Sequence, residues 1–170
     1  MENIHIQNYK SPYGELILGA FDGKLCLADW RYRRMRTSID KRLQKYFNAV
    51  YIEHEDTIVD AAITQLEEYF RRQRKIFDLP ILTAGTDFQR SVWDALLEIS
   101  YGSVITYQKM AENLGNKNAV RAVAAANGAN AISIIIPCHR VIGSDGHLTG
   151  YGGGLWRKEW LLKHEGALLL

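Results

Sequence analysis

The chain has 170 residues, 47% of them hydrophobic, and a formal charge of +2, long enough for one domain or two small ones with a proper core. So mild a charge does not announce nucleic-acid binding by itself, and any DNA contact has to come from a local patch. Cys26 and Cys138 lie far apart with no CxxC or Cys/His cluster, so neither a disulfide framework nor a zinc site is suggested, and the pattern points to a reducing compartment.

The N-terminus lacks a basic start followed by an apolar core, and no apolar run reaches membrane-spanning length. The chain therefore reads as cytoplasmic, or nuclear in a eukaryote. Residues 3–30 read as antiparallel strands: Ile4-His5-Ile6 alternates, Ser11-Pro12-Tyr13-Gly14 turns into Glu15-Leu16-Ile17-Leu18, and Asp22-Gly23 leads into Lys24-Leu25-Cys26-Leu27. Asp-Gly between apolar runs is a hairpin signal. Cys26, among leucines, reads as core packing. The basic run at residues 31–36 fits a solvated surface loop, with a DNA-backbone patch as the alternative.

Residues 38–48 read as a short helix and residues 50–53 as a further strand. Asp56 then opens a helix carrying Ile58, Ala61, Ala62, Gln65, Leu66, Tyr69 and Phe70 at helical spacing. The cations at residues 71–75 suit a helix C-terminus through the macrodipole. Residues 77–86, with Pro80 and Gly85, read as a connector, so the expected division is a domain at 1–80 and another at 86–170. No catalytic constellation is visible in the first.

Thr86-Asp87-Phe88-Gln89 fits a capping box before Val92, Trp93, Leu96 and Leu97. A short helix over 106–114, a Gly115-Asn116 turn and a second helix over 118–126 have helix-turn-helix spacing. That second helix carries Ala119, Ala122, Ala124, Ala125 and Ala126, with Arg121 as its long side chain. It has little with which to read base edges. Two readings fit it: an alanine-rich helix packed in the core, or one whose small side chains allow close approach to the minor groove while a single cation enters the stack.

Ile134-Ile135-Ile136-Pro137-Cys138-His139-Arg140-Val141 is the stretch around which the chain is organised. Three β-branched residues read as a buried strand. Pro137 cannot donate to a sheet ladder, so the strand ends there and Cys138 falls at a strand end or turn. A lone cysteine in an apolar run is usually a small buried hydrophobe. Here the adjacent His139 can take the thiol proton, directly or through a water, and only the thiolate is a competent nucleophile.

Pro137-Cys138-His139-Arg140-Val141 resembles the active-site signature of the O6-alkylguanine-DNA alkyltransferases, in their bacterial constitutive form. Tyr101-Gly102-Ser103-Val104-Ile105-Thr106-Tyr107, Ala119-Val120-Arg121-Ala122-Val123, Asn127-Gly128-Ala129-Asn130 and Lys158-Glu159-Trp160-Leu161-Leu162-Lys163-His164-Glu165-Gly166 extend the likeness over residues 88–166. The resemblance implies an α/β (α+β) chain: a small N-terminal domain of antiparallel sheet plus helix, ribonuclease H-like, then a mainly helical domain with a winged-helix-like helix-turn-helix. It implies irreversible transfer of an alkyl group from guanine O6, and from thymine O4, to Cys138 after nucleotide flipping.

The same resemblance assigns His139, through a bridging water, and Glu165 to thiolate formation, and Tyr107 to a hydrogen bond on guanine N3. It gives Arg121 the gap left by the flipped nucleotide and places Ala119, Ala122, Thr106 and Asn118 against DNA. The pocket it implies is lined by Val141, Ser133, Tyr151, Gly152 and Gly153, with backbone carbonyls of Cys138 and Val141 and the Gly152 N–H reading the base. The resemblance also implies that Asn130 braces the turn into the catalytic loop, where locally it needs only a helix-cap or Asx-turn role; Arg140 reads as structural, bonding the N-terminal domain. The implied partner is double-stranded DNA with alkylated guanine, bound sequence-independently by a monomer with no cofactor, metal or obligate protein partner.

Two departures stand out. Ser133 lies where some members have proline, and Gly152 where others have serine; with Gly153 and Gly154 they leave room for alkyl groups larger than methyl. The competing classes are a lesion-recognition protein without a nucleophile, which Cys in place of Trp at 138 opposes, and a cysteine hydrolase. The latter would need a distant His and an oxyanion hole.

Overall fold

The computed structural model describes residues 1–167. They fall into two compact units, Met1–Gly85 and a second from Thr86 onward.

In the first unit, β1 (Glu2–Ser11), β2 (Gly14–Phe21), β3 (Lys24–Trp30) and β4 (Ala49–Glu53) form one sheet in the order β3-β2-β1-β4. The Asp22-Gly23 turn, both residues at positive φ, joins β2 to β3 as the sequence predicts. The sheet is mixed: β1–β2 and β2–β3 are antiparallel, but β4 lies parallel to β1, with Glu2 opposite Ala49. Parallel pairing needs a crossover, and α1 (Arg36–Phe47) supplies it. At Gly19, where the β2–β3 register shifts, an added Cβ would come within 3.2 Å of Ile4 and Leu27 side-chain atoms, so only glycine fits without displacement.

Asp56 caps α2 (Thr57–Phe70) by accepting from the Ile58 N–H at 2.8 Å, and its other oxygen bonds His5 Nδ1 at 2.9 Å. Val59, Ala62, Leu66 and Tyr69 make its buried stripe. The basic run departs from the solvated-loop reading. Arg33 and Arg36 converge on the fully buried Asp29 at 3.1 and 2.9 Å, and Arg31 pairs with Glu15 at 2.8 Å. A buried carboxylate needs compensating charge, so these cations are committed within the unit; Arg34 is exposed.

In the second unit, Thr86 and Gln89 complete the capping box of α3 (Asp87–Leu96). A two-stranded parallel ribbon, β5 (Ile105–Thr106) with β6 (Val141–Ile142), accompanies α4 (Tyr107–Asn113), α5 (Val120–Gly128) and α6 (Leu155–His164). The turn between α4 and α5 includes Gly115 at φ 84°.

The segment before Cys138 is not the expected strand. Residues 133–135 are a turn, with Ile134 at φ 70°. All three isoleucines are buried nonetheless. A strand alternates its faces, whereas this reversal turns consecutive side chains inward; the apolar run reflects burial rather than extension. Among the described residues no helix is long and apolar enough to cross a membrane.

Candidate active site

Cys138 opens a single turn of 3-10 helix, Cys138–Arg140, and is 4% exposed. The buried Asn130 side chain braces the turn that delivers it, donating to the Ile136 and Ile132 carbonyls at 2.9 and 3.3 Å and accepting from the Ile132 N–H at 2.9 Å. From the end of α5, the Asn127 amide donates to the Cys138 carbonyl at 3.2 Å. The reactive turn is thus tied to the second helix of the helix-turn-helix.

His139 is fully buried, and its Nε2 lies 2.8 Å from Glu165 Oε2. Its Nδ1 is buried without a hydrogen-bond partner. Glu165, the residue just past α6, also takes Arg140 Nε on Oε1 at 2.8 Å and Nη2 on Oε2 at 3.1 Å. Against the effect of burial, His139 and Arg140 hold the Glu165 carboxyl well below the ordinary range. Burial pushes the His139 imidazole below its usual value, opposed by Glu165. In the neutral ring that burial favours, a proton on Nε2 is the one that meets the Glu165 carboxylate. The Arg140 bonds to Glu165 and to the Ile99 carbonyl lie within the second unit, whereas the sequence reading assigns this side chain to the N-terminal domain.

Tyr107, at the start of α4, donates its hydroxyl to the Thr149 carbonyl at 3.1 Å. Burial, aided by the nearby Cys138, pushes its phenol up to about 12. Sequence reasoning assigned no role to Lys158, yet this residue is fully buried, with Nζ 2.8 Å from the Thr149 carbonyl and 3.2 Å from that of Gly150. Burial lowers its ammonium to about 8, with Cys138 opposing. A signal was available: Lys158 shares a helical stripe with Leu161, Leu162 and Glu165, spacing that faces a core.

The remaining predicted residues divide into two groups. Val141 and Ser133 are buried near the reactive turn, and Gly153 is buried in the irregular segment 147–154, where Tyr151 and Gly152 are half-buried. Arg121, Ala122 and Asn118 are exposed and Ala119 half-buried along α5 and its approach, while the Thr106 hydroxyl accepts from the Lys109 N–H at the start of α4. Ala122, Ala124 and Ala125 face outward, which removes the core-packing reading for that face. It presents small side chains and one cation, with no acidic residue from 119 to 129.

Residues 87–167 match the 6-O-methylguanine DNA methyltransferase DNA binding domain, and residues 4–83 match the ribonuclease-like domain of the same proteins. A methylated-DNA--protein-cysteine methyltransferase of Methanosarcina acetivorans is 42% identical over 159 residues, covering 94% of this chain and 96% of its own. The chain belongs to the 6-O-methylguanine DNA methyltransferase family. A Shigella flexneri methylated-DNA--protein-cysteine methyltransferase is 58% identical over 107 residues, a match that spans 62% of this chain and 63% of that protein. Among solved structures, Mycobacterium tuberculosis OGT in complex with DNA superposes with a TM-score of 0.80 at 40% identity, over 96% of this chain and 93% of that one. The family assignment gives the buried Cys138, His139 and Glu165 group a chemical context that geometry alone leaves open.

Proposed function

We propose that this methyltransferase-family chain repairs duplex DNA by moving an alkyl group from guanine O6 to its own Cys138. The observation that carries the reading is the buried His139, hydrogen-bonded to Glu165 through Nε2 at 2.8 Å, directly following the buried Cys138 in the reactive turn. The thiol proton passes to His139, directly or through a water. The thiolate then attacks the alkyl carbon, so that the C–S bond forms as the C–O6 bond breaks and the electron pair leaves on guanine. Guanine takes up one proton, replacing the one the thiol gave up. The net change is thiol plus alkylguanine to thioether plus guanine.

A thioether offers no electrophilic carbonyl to water, so each molecule acts once. The buried Lys158 ammonium favours a nearby thiolate, and the Tyr107 phenol is a donor for the charge growing on the departing base. Its hydroxyl is committed to the Thr149 carbonyl, so donation to guanine requires that bond to be exchanged when the base enters. Guanine O6 lies inside the stack, and rotating the nucleotide out costs a few kcal/mol. The outward alanine face of α5 suits close approach to the minor groove, with Arg121 filling the vacancy. The proposed partner is double-stranded DNA, bound by a monomer in the cytoplasm, with thymine O4 adducts as a second substrate.

Intact-protein mass after mixing with excess duplex carrying one O6-methylguanine, followed by peptide mapping, tests this. The expected result is one methyl group on Cys138 and restored guanine. An unmodified protein that still binds the lesion would make it a recognition protein, and repeated turnover would make it a hydrolase. Ser133 and the glycines at 152–154 also predict pocket room, expected as comparable transfer of methyl and benzyl groups; an untouched benzyl adduct would refute that.

A further inference from the structure

Arg140 is more than a structural neighbour of the reactive cysteine. Its guanidinium is pinned at three nitrogens: Nε on Glu165 Oε1 at 2.8 Å, Nη2 on Oε2 at 3.1 Å, and Nη1 on the Ile99 carbonyl at 2.6 Å. Oε2 is also the oxygen that faces His139 Nε2 at 2.8 Å. One carboxylate therefore serves two donors, and the cation has a fixed place beside it.

A carboxylate next to a buried imidazole can act in two opposed ways. With its charge uncompensated it stabilises imidazolium, and the base would carry a proton before it met the thiol. With its charge countered by a planar, forked guanidinium, it can still orient the ring while drawing the proton less strongly. We propose that Arg140 is a positioning residue that keeps His139 a neutral base, by countering Glu165 and fixing its oxygens so that the carboxylate holds the Nε2–H tautomer and leaves Nδ1 open. This deepens the alkyl-transfer reading, on which it rests only for the use to which the base is put.

The charged groups acting on His139 are Glu165 beyond α6, Arg140 beside it and Lys158 within α6. Glu165 favours imidazolium, whereas both cations oppose it. The full burial of the ring agrees with the neutral form.

Ring-nitrogen NMR shifts of His139 test the inference without any transfer step, so its failure is distinct from failure of the alkyl-transfer reading. In the unsubstituted protein at neutral pH, the expected signature is a neutral ring protonated at Nε2. An imidazolium, or a proton on Nδ1, would overturn it. In a Cys138→Ser protein, where no thiol titrates beside the ring, Arg140→Gln is expected to raise the His139 midpoint by about one pH unit. Arg140→Lys, which keeps a cation but not the fork, is expected to raise it by no more than about half a pH unit. A midpoint unmoved by Arg140→Gln, or raised equally by Arg140→Lys, overturns the proposal. Should Arg140→Gln fail to fold, the tautomer of the unsubstituted protein and the Arg140→Lys midpoint still decide it.

Discussion

Lys158 illustrates what a single buried charge does to stability and chemistry together. Its ammonium, held at about 8 against an ordinary 10.5, binds a proton less readily in the folded chain than in the unfolded one. The unfolded state therefore carries more protons between those two values, and this group makes stability rise with pH across that window. Below it the cost is on the order of 3 kcal/mol. Lys158→Met is expected to slow transfer to Cys138 while leaving the denaturant midpoint at neutral pH unchanged or higher. It should also flatten the rise in stability between about pH 8 and pH 10, read by urea titration at each pH. Glu165 has the opposite sign: its depressed carboxyl contributes at neutral pH, and that contribution is lost as pH falls through the folded value. Cys138, His139 and Glu165 are the residues the family resemblance singles out, and in the structure the last two are hydrogen-bonded beside the first. Lys158 is not among them, because a lysine in a helix reads as surface until its place on the buried stripe is counted.

Among elements, α5 is the one whose outward face contradicts ordinary expectation. Alanines exposed to solvent gain nothing from burial, and their value lies in what they leave out. Ala122→Glu adds both bulk and negative charge at an exposed position. It is expected to weaken duplex binding about tenfold, with a stability change under about 0.5 kcal/mol; equal affinity in a binding titration would argue against the minor-groove placement. The helix-turn-helix, the α3 capping box and the β2–β3 hairpin were readable because each has a local cause: spacing, a side-chain cap, an Asp-Gly pair. Two elements had no such signal. Nothing local distinguishes three isoleucines in a strand from three in a tight buried turn, since the distinction lies in the left-handed backbone at Ile134. Nor does a stretch of arginines show that Asp29, from the preceding strand, will take two of them.

The whole molecule divides its stability between two cores, and the first depends on that buried carboxylate. Asp29→Asn removes the buried anion that Arg33 and Arg36 share, with Asp40 still pairing with Arg36 at 3.0 Å, and is expected to destabilise the first unit by about 3 kcal/mol, measured in urea. The two units meet at Gly85 and Thr86, at the end of the Pro- and Gly-containing stretch that reads as a connector by composition rather than through any single residue.

The turn at Ile134 also has a consequence in time. Loops that carry chemistry are commonly among the mobile parts of a protein, but this one is packed inward, and the Ile135, Ile136, Cys138 and Arg140 amides are each bonded to a nearby carbonyl. Hydrogen exchange should therefore be as slow across these four amides as in the Leu16–Ala20 strand segment, and fast at Ser144 and Asp145, which are exposed. The cysteine would then be the stationary partner in the encounter: the nucleotide must travel the distance, and the nucleophile waits in place.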